Sequence, residues 1–211
     1  IFLDMNERKL FANNAHSYLI EQVQLNKMNL SNNNNLNFNF QVKELIWVIR
    51  NDNVGKESTT NIDATTNAGN LDASSTNTMI NGNDYFNFAT NTYNANRIEY
   101  VGGYASNEPF EKCNIEMNGN ERFSKHKASY FRTIQPLNYH SRIPTKHIYN
   151  YSFSLKPESH QPSGSCNFSR LHNVNLVFDN ITTDSSELLV FATNYNVLEI
   201  SAGMAGLKYA N

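Results

Sequence analysis

The chain has 211 residues, 39% hydrophobic and 17% charged, with 17 Lys and Arg against 19 Asp and Glu and a formal net charge of -2. That length builds one large domain or two small ones and buries a core without disulfides or a structural metal. Mixed charges with no basic stripe argue against a nucleic-acid partner, and the longest apolar run, Leu45–Ile49, is strand-sized and too short to cross a bilayer. The balance of the composition is uncharged polar, asparagine above all, which favours turns and loops over helix and strand interiors. Irregular surface around a compact core is therefore expected. Cys113 and Cys166 lie far apart in sequence. They read as free thiols of a reducing compartment, with a single disulfide as the other option.

In chain order, Asp4 followed by Glu7 is a capping-box signature for a short first helix. The start at Ile1, running almost directly into that signal, leads us to expect the tail portion of a longer polypeptide. Ser17–Leu25 is a plausible strand. In Leu36–Lys43, Leu36, Phe38, Phe40 and Val42 alternate with Asn37, Asn39, Gln41 and Lys43, which predicts a strand with one packed and one wet face. Leu45–Ile49 is apolar on both faces and should be buried on both sides.

Residues 51–97 are a low-complexity Asn/Thr/Ser/Gly/Asp stretch that cannot offset its ordering entropy with a core of its own. We expect a long surface loop inserted into the sheet. Patterning resumes with Cys113, Ile115 and Met117 on one face, followed by an Asn118-Gly119 turn. Residues 127–136 read as a short helix ended by Pro136. Then Tyr149, Tyr151, Phe153 and Leu155 alternate with Asn150, Ser152 and Ser154, and Val174, Leu176 and Phe178 alternate with Asn173, Asn175 and Asp179. A long final strand spans 187–200, and a glycine-bearing tail follows. Seven or eight strands with polar connections, few helices and no βαβ rhythm predict an all-β, eight-stranded antiparallel jelly-roll sandwich.

Few constellations suggest chemistry. His140, His147, His160 and His172 cluster in the second half, with His16 and His126 elsewhere, but no His-x-His pair or helical i,i+4 pair offers a metal site. Cys166 follows His160 by six residues in a segment broken by Pro162 and Gly164. Such a cysteine more often supplies a small buried hydrophobe than a nucleophile. The acids Glu21, Glu44, Glu111, Glu116, Glu121, Glu158, Glu187 and Glu199 are scattered, and most suit the wet face of a strand. Tyrosines such as Tyr149 and Tyr151 keep a carbohydrate-binding or host-attachment module as the alternative function, although their shared face is what a core face looks like. Asn29, Asn150, Asn167 and Asn180 head glycosylation triplets at a frequency this composition produces by chance.

Three stretches go further: "NGNERF" (Asn118–Phe123), "IQPLNYHSRIP" (Ile134–Pro144) and "YSFSLKPESHQPSGSCNFSR" (Tyr151–Arg170). With "HSYLIEQVQ", "VKELIWVI" and the carboxyl-terminal "NYNVLEISAGMAGLKYAN" in order, the chain resembles the major capsid proteins of the nucleocytoplasmic large DNA viruses. The match covers most of residues 1–50 and 108–211 and leaves out the Asn/Thr-rich insertion. The resemblance implies a double jelly roll, of which 1–211 is a single, carboxyl-terminal jelly-roll domain. It implies a non-enzymatic structural protein of an icosahedral double-stranded DNA virus, forming homotrimeric, pseudo-hexagonal capsomers that tile the virion shell, assembled in the host cytoplasm. Its partners are then itself, neighbouring capsomers and minor capsid proteins, with no nucleic acid, no direct membrane insertion and no cofactor.

No catalytic, cofactor or metal residue is expected. The candidate functional residues are those of a rigid corner over Lys156–Gly164. Pro157 and Pro162 fix φ and withhold amide donors, and Gly164 permits a sharp bend. Cys166 and Phe168 then return inward to the core.

Overall fold

The computed structural model describes residues 3–51, 86, 88, 108–181 and 186–209. In chain order the elements are α1 (Met5–Asn13), β1 (His16–Asn29), β2 (Asn33–Asn35), β3 (Gln41–Asn51), β4 (Phe110–Met117), β5 (Asn120–Glu121) and β6 (His126–Lys127). A π-helical turn (Tyr130–Ile134) runs into α2 (Gln135–Tyr139), then β7 (Tyr149–Ser152) and β8 (Cys166–Asn167). A 3-10 turn (Phe168–Arg170) precedes β9 (Val174–Ile181), β10 (Ser186–Ser201) and β11 (Met204–Leu207). The expected 51–97 insertion lies outside the described residues except for Asn51, Phe86 and Phe88.

The strands form two antiparallel sheets packed as a jelly-roll sandwich with two short α-helices. One sheet has the order β1-β10-β3-β7, with β11 extending beside β10 and β8 beside β3; the other has the order β2-β9-β4-β5, with β6 on β4. The alternation in β9 and β10 follows from this. Val174, Leu176, Phe178, Leu188, Val190 and Ala192 are buried between the sheets, and their neighbours face outward. The sheets are joined by a run of rings. Trp47 lies 6.1 Å from Tyr149, Tyr149 lies 4.8 Å from Phe110, and Phe110 lies 4.7 Å from Phe178. The rings thus cross from the β3/β7 sheet to the β4/β9 sheet. Buried Tyr149 donates its hydroxyl to Glu108 Oε2 (2.5 Å), whose Oε1 pairs with Arg132 Nε (2.7 Å). Burial first, and Glu108 second, push the Tyr149 phenol far above its ordinary pKa, so it stays a neutral donor.

Two local signals are realised. Asp4 caps α1, accepting from the Glu7 amide while Glu7 accepts from the Asp4 amide. Asn118 (φ 51°) and Gly119 (φ 80°) make a two-residue hairpin turn between β4 and β5, as a primed turn with two positive φ values requires. The glycine-bearing carboxyl tail contains a second hairpin, not anticipated from the sequence: Ala202 (φ 50°) and Gly203 (φ 76°) turn the chain so that Ser201 faces Met204.

Several expectations are corrected. Leu36–Val42 is not one strand. Asn33–Asn35 pair with β9 in one sheet, and Gln41 onward pairs with β10 in the other. The residues between cross from sheet to sheet, with Phe40 at φ 66° making the bend. Leu36, Phe38 and Val42 still point into the core, because a chain threading the sandwich edge buries alternate residues as a strand does. Pro136 does not end a helix. It lies inside a helical run that continues to Tyr139, and the π-helical turn immediately before it, Tyr130–Ile134, is where the backbone widens ahead of the missing N–H. The strand at 149–155 stops at Ser152. Its polar residues are not wet: Asn150, Ser152 and Ser154 are buried and Leu155 is exposed. Gln135 of α2 accepts from the Ser152 amide (3.4 Å), so the helix covers the free edge of β7.

Candidate functional site

The 153–165 segment, which contains the expected corner, departs from and returns to one line of pairing. Along the edge of β3, Ser152 faces Glu44 and Cys166 faces Val42. The chain therefore leaves the ladder after one pair, makes its whole excursion opposite the single residue Lys43, and rejoins at the next pair. Lys43 is also irregular toward its other neighbour. The register with β10 shifts between Thr193, opposite Glu44, and Asn194, opposite Val42, so Lys43 is the extra residue of a β-bulge. Its carbonyl accepts from the amides of Phe153 (2.9 Å) and Ser154 (3.2 Å), and its Nζ donates to the Pro157 carbonyl (2.7 Å). One bulged residue thus holds the excursion at its root and at its tip.

The two limbs of the excursion are stitched together. Leu155 N donates to Ser163 O (3.3 Å), Lys156 N donates to Ser163 Oγ (2.9 Å), and the Ser154 and Ser163 hydroxyls lie 2.7 Å apart. Gly164 adopts φ +135°, and a Cβ built there would stand 3.0 Å from the Phe153 carbonyl oxygen. The limbs therefore touch where only glycine fits. Pro157 is buried and Pro162 exposed. Cys166 is half-buried against the core, and Phe168 is buried in it, 6.1 Å from Phe38 and 5.7 Å from Phe153. Phe168 N donates to Phe40 O (2.8 Å), and Phe40 N donates to Ser169 Oγ (2.8 Å), which locks the exit of the corner to the sheet crossing.

Beneath the corner lies a charged cluster that sequence reasoning missed. Lys43 Nζ pairs with Glu21 Oε1 at 2.6 Å, its side chain only 4% exposed, and sits 5.8 Å from the centroid of the Tyr195 ring. The ring of His140, just past α2, lies 3.2 Å from Glu44 Oε2 and 3.4 Å from Glu158 Oε1. Glu158 also accepts from Ser141 N (3.0 Å) and Ser141 Oγ (3.2 Å). The Ser141 amide, more than any other group, holds the Glu158 carboxyl below its ordinary pKa. Glu44, expected among wet-face acids, is buried. A signal for the cluster exists in the sequence. Two adjacent charges, Lys43 and Glu44, stand between apolar Val42 and the apolar run Leu45–Ile49, where both faces of the strand are otherwise packed.

Replacing Lys43 by methionine is expected to destabilise the chain by about 1–3 kcal/mol, the cost of an unsatisfied buried acceptor at Pro157. That is less than the roughly 3–5 kcal/mol of breaking a fully buried pair, because Glu21 is 34% exposed and can be resolvated. Urea unfolding of wild type and variant checks it.

The other candidates do not assemble into reactive sites. His160 is exposed, and no described hydrogen bond joins it to Cys166. Burial raises the thiol pKa of both Cys166 and Cys113, the opposite of what a nucleophile needs. Among the described residues, no group of three or more His, Cys, Asp or Glu is placed to hold a metal ion. Tyr151 and Phe153 pack edge to face at 5.1 Å against the core rather than forming an open sugar platform. Of the glycosylation triplets, Asn150 is buried and Asn167 half-buried, while Asn29 and Asn180 are exposed.

Comparisons with known proteins agree with this geometry. Residues 7–206 match the family model described as large eukaryotic DNA virus major capsid protein. The chain is 34% identical over 269 residues to the major capsid protein of Phaeocystis pouchetii virus, covering 100% of this chain and 52% of that protein. It is also 34% identical over 245 residues to that of Paramecium bursaria Chlorella virus 1, with the same coverage of 100% and 52%. A chain in a quasi-atomic model of the PBCV-1 virus capsid superposes with a TM-score of 0.66 at 28% identity, over 100% of this chain and 55% of that one. The chain thus spans about half the length of the curated relatives it matches. A jelly-roll sandwich matched over residues 7–206 by the family model and over its whole length by major capsid proteins belongs to the major capsid protein family of the large eukaryotic DNA viruses.

Proposed function

We propose that this chain is the carboxyl-terminal jelly-roll domain, 1–211, of a double jelly-roll shell protein that builds the virion of a large icosahedral DNA virus. Its work is self-association: homotrimers of pseudo-hexagonal outline, tiled against neighbouring capsomers and minor capsid proteins, assembled in the host cytoplasm. The observation that carries this reading is the end-to-end superposition on a chain of an assembled virus capsid. Closed symmetry multiplies individually weak contacts, so the protein needs shape held to tolerance rather than a reactive group.

The corner serves that purpose in this reading. Pro157, Pro162, Gly164, Cys166 and Phe168 hold a surface feature in one conformation, because any displacement of it is repeated at every copy in the shell. Mass photometry and negative-stain imaging of the full-length protein test the reading. Trimers with a hexagonal outline are expected; persistent monomers at micromolar concentration would overturn it.

A further inference from the structure

We infer that His140 is a proton-operated clasp, holding the 153–165 excursion against the β3 sheet when its ring carries both protons and loosening it when the ring is neutral. The argument starts from the valence of the ring. An imidazolium presents two N–H groups; a neutral imidazole presents one and turns a lone pair outward at its other nitrogen. Here both nitrogens face carboxylates on different elements. Nε2 faces Glu44 Oε2 of β3 at 3.2 Å, and Nδ1 faces Glu158 Oε1 of the excursion at 3.4 Å. Only the doubly protonated ring turns a positively charged N–H toward both carboxylates. The His140 side chain is 15% and that of Glu44 9% exposed, so solvent screens this arm weakly, whereas Glu158, 49% exposed, is screened more.

The two arms are unequal. Among the described residues, Glu44 Oε2 and His140 Nε2 are both buried and, 3.2 Å apart, face each other as a charge pair with no other partner, while Glu158 has the Ser141 amide and hydroxyl in addition to the ring. When one proton leaves, the other stays toward Glu44, where its absence would strand a buried charge. The Nδ1 lone pair is then set against Glu158, and the arm that ties the excursion to the sheet becomes repulsive. Lys43, the adjacent charge on β3, does not substitute, since its ammonium is engaged by Glu21 and the Pro157 carbonyl.

The electrostatics agree with the geometry. Glu44 foremost, and Glu158 after it, raise the His140 pKa above its ordinary value against the opposing effect of burial. A raised value fixes the sign of the linkage. The clasp's contribution is complete below about pH 6.5, the ordinary histidine value, and is lost as pH rises through the higher value of the folded protein. The Lys43–Pro157 contact and the Ser163 contacts do not involve the His140 ring, so the excursion loosens without unfolding.

Hydrogen–deuterium exchange of the full-length protein, read by mass spectrometry between about pH 5.5 and about pH 8.5, tests this around the histidine range. Exchange at the His140 ring carbon gives its pKa, and backbone exchange in peptides covering 155–164 gives the tightness of the corner. His140 is expected to titrate above the ordinary value. After correction for intrinsic rates, corner amides are expected to exchange about two- to fivefold more slowly at the acid end, the size of effect one partly exposed ion pair provides. Glu158→Gln, at an exposed side chain, should lower the His140 pKa and remove that pH-dependent part, and His140→Asn should remove it too. Titration of His140 at or below the ordinary value, or a pH-dependent part that persists in Glu158→Gln, would overturn the inference.

Discussion

Replacing Trp47 by alanine is expected to lower the unfolding free energy by about 3–5 kcal/mol, the range for truncating a fully buried large aromatic. Trp47 has no exposed surface and packs against Phe131 at 5.4 Å and Tyr149 at 6.1 Å. It begins the run of rings that joins the two sheets, so the cavity opens where the layers are held together. For a chain of this size each kcal/mol shifts the melting temperature by roughly 2–4 °C, and circular dichroism melts of the two proteins read the difference. Trp47→Phe is the discriminating control. Among the described residues the indole N–H has no acceptor, so phenylalanine keeps much of the ring and discards an unsatisfied donor; its cost is expected to be well under half that of alanine. As the single tryptophan, Trp47 also reports on its own burial. Its emission is expected to be that of a dry environment until the cooperative transition.

Gly164→Ala is expected to destabilise by about 1–3 kcal/mol through its backbone conformation alone, because φ +135° is a region that L-residues rarely enter. The clash adds to this. The new methyl would stand 3.0 Å from the Phe153 carbonyl oxygen and 3.4 Å from Ser154 Cα, and both are backbone atoms held by hydrogen bonds to Lys43 O. Neither can swing aside as a side-chain tip would. The limbs of the excursion must part, and protection of the Leu155 and Lys156 amides is expected to fall more than that of the β10 amides. Gly119→Ala is the comparison. It also has a positive φ, of +80°, but nothing lies within 4 Å of the added carbon, so only the conformational cost remains. Equal melting-temperature losses for the two variants would show that the close approach at Gly164 does not contribute.

Much of the fold was legible because two-residue alternation survives wherever one face of a sheet is buried. Val174, Leu176 and Phe178, and Cys113 and Ile115, point inward as their spacing indicates. The Asp4 cap and the Asn118-Gly119 turn were legible because their determinants lie within a few residues of one another. Pro157, Pro162 and Gly164 marked in the sequence a break in the strand pattern. What that break packs against was not legible. Lys43 and Glu21 meet across 22 positions of sequence, and His140 meets Glu44 across nearly a hundred. No local pattern encodes such a meeting. Where the alternation misled, at Leu36–Val42 and at 149–155, burial alternated while hydrogen bonding did not.

By itself, then, the sequence determined the class of architecture, the core faces of its main strands and a family resemblance carried by ordered motifs. These rest on local propensity and on the period of side-chain direction, which are properties of consecutive residues. Only the tertiary structure decided that the corner is an excursion opposite one bulged lysine, closed at Gly164 and set above a histidine between two carboxylates. Pairing register brings those groups together, and register depends on which strands become neighbours.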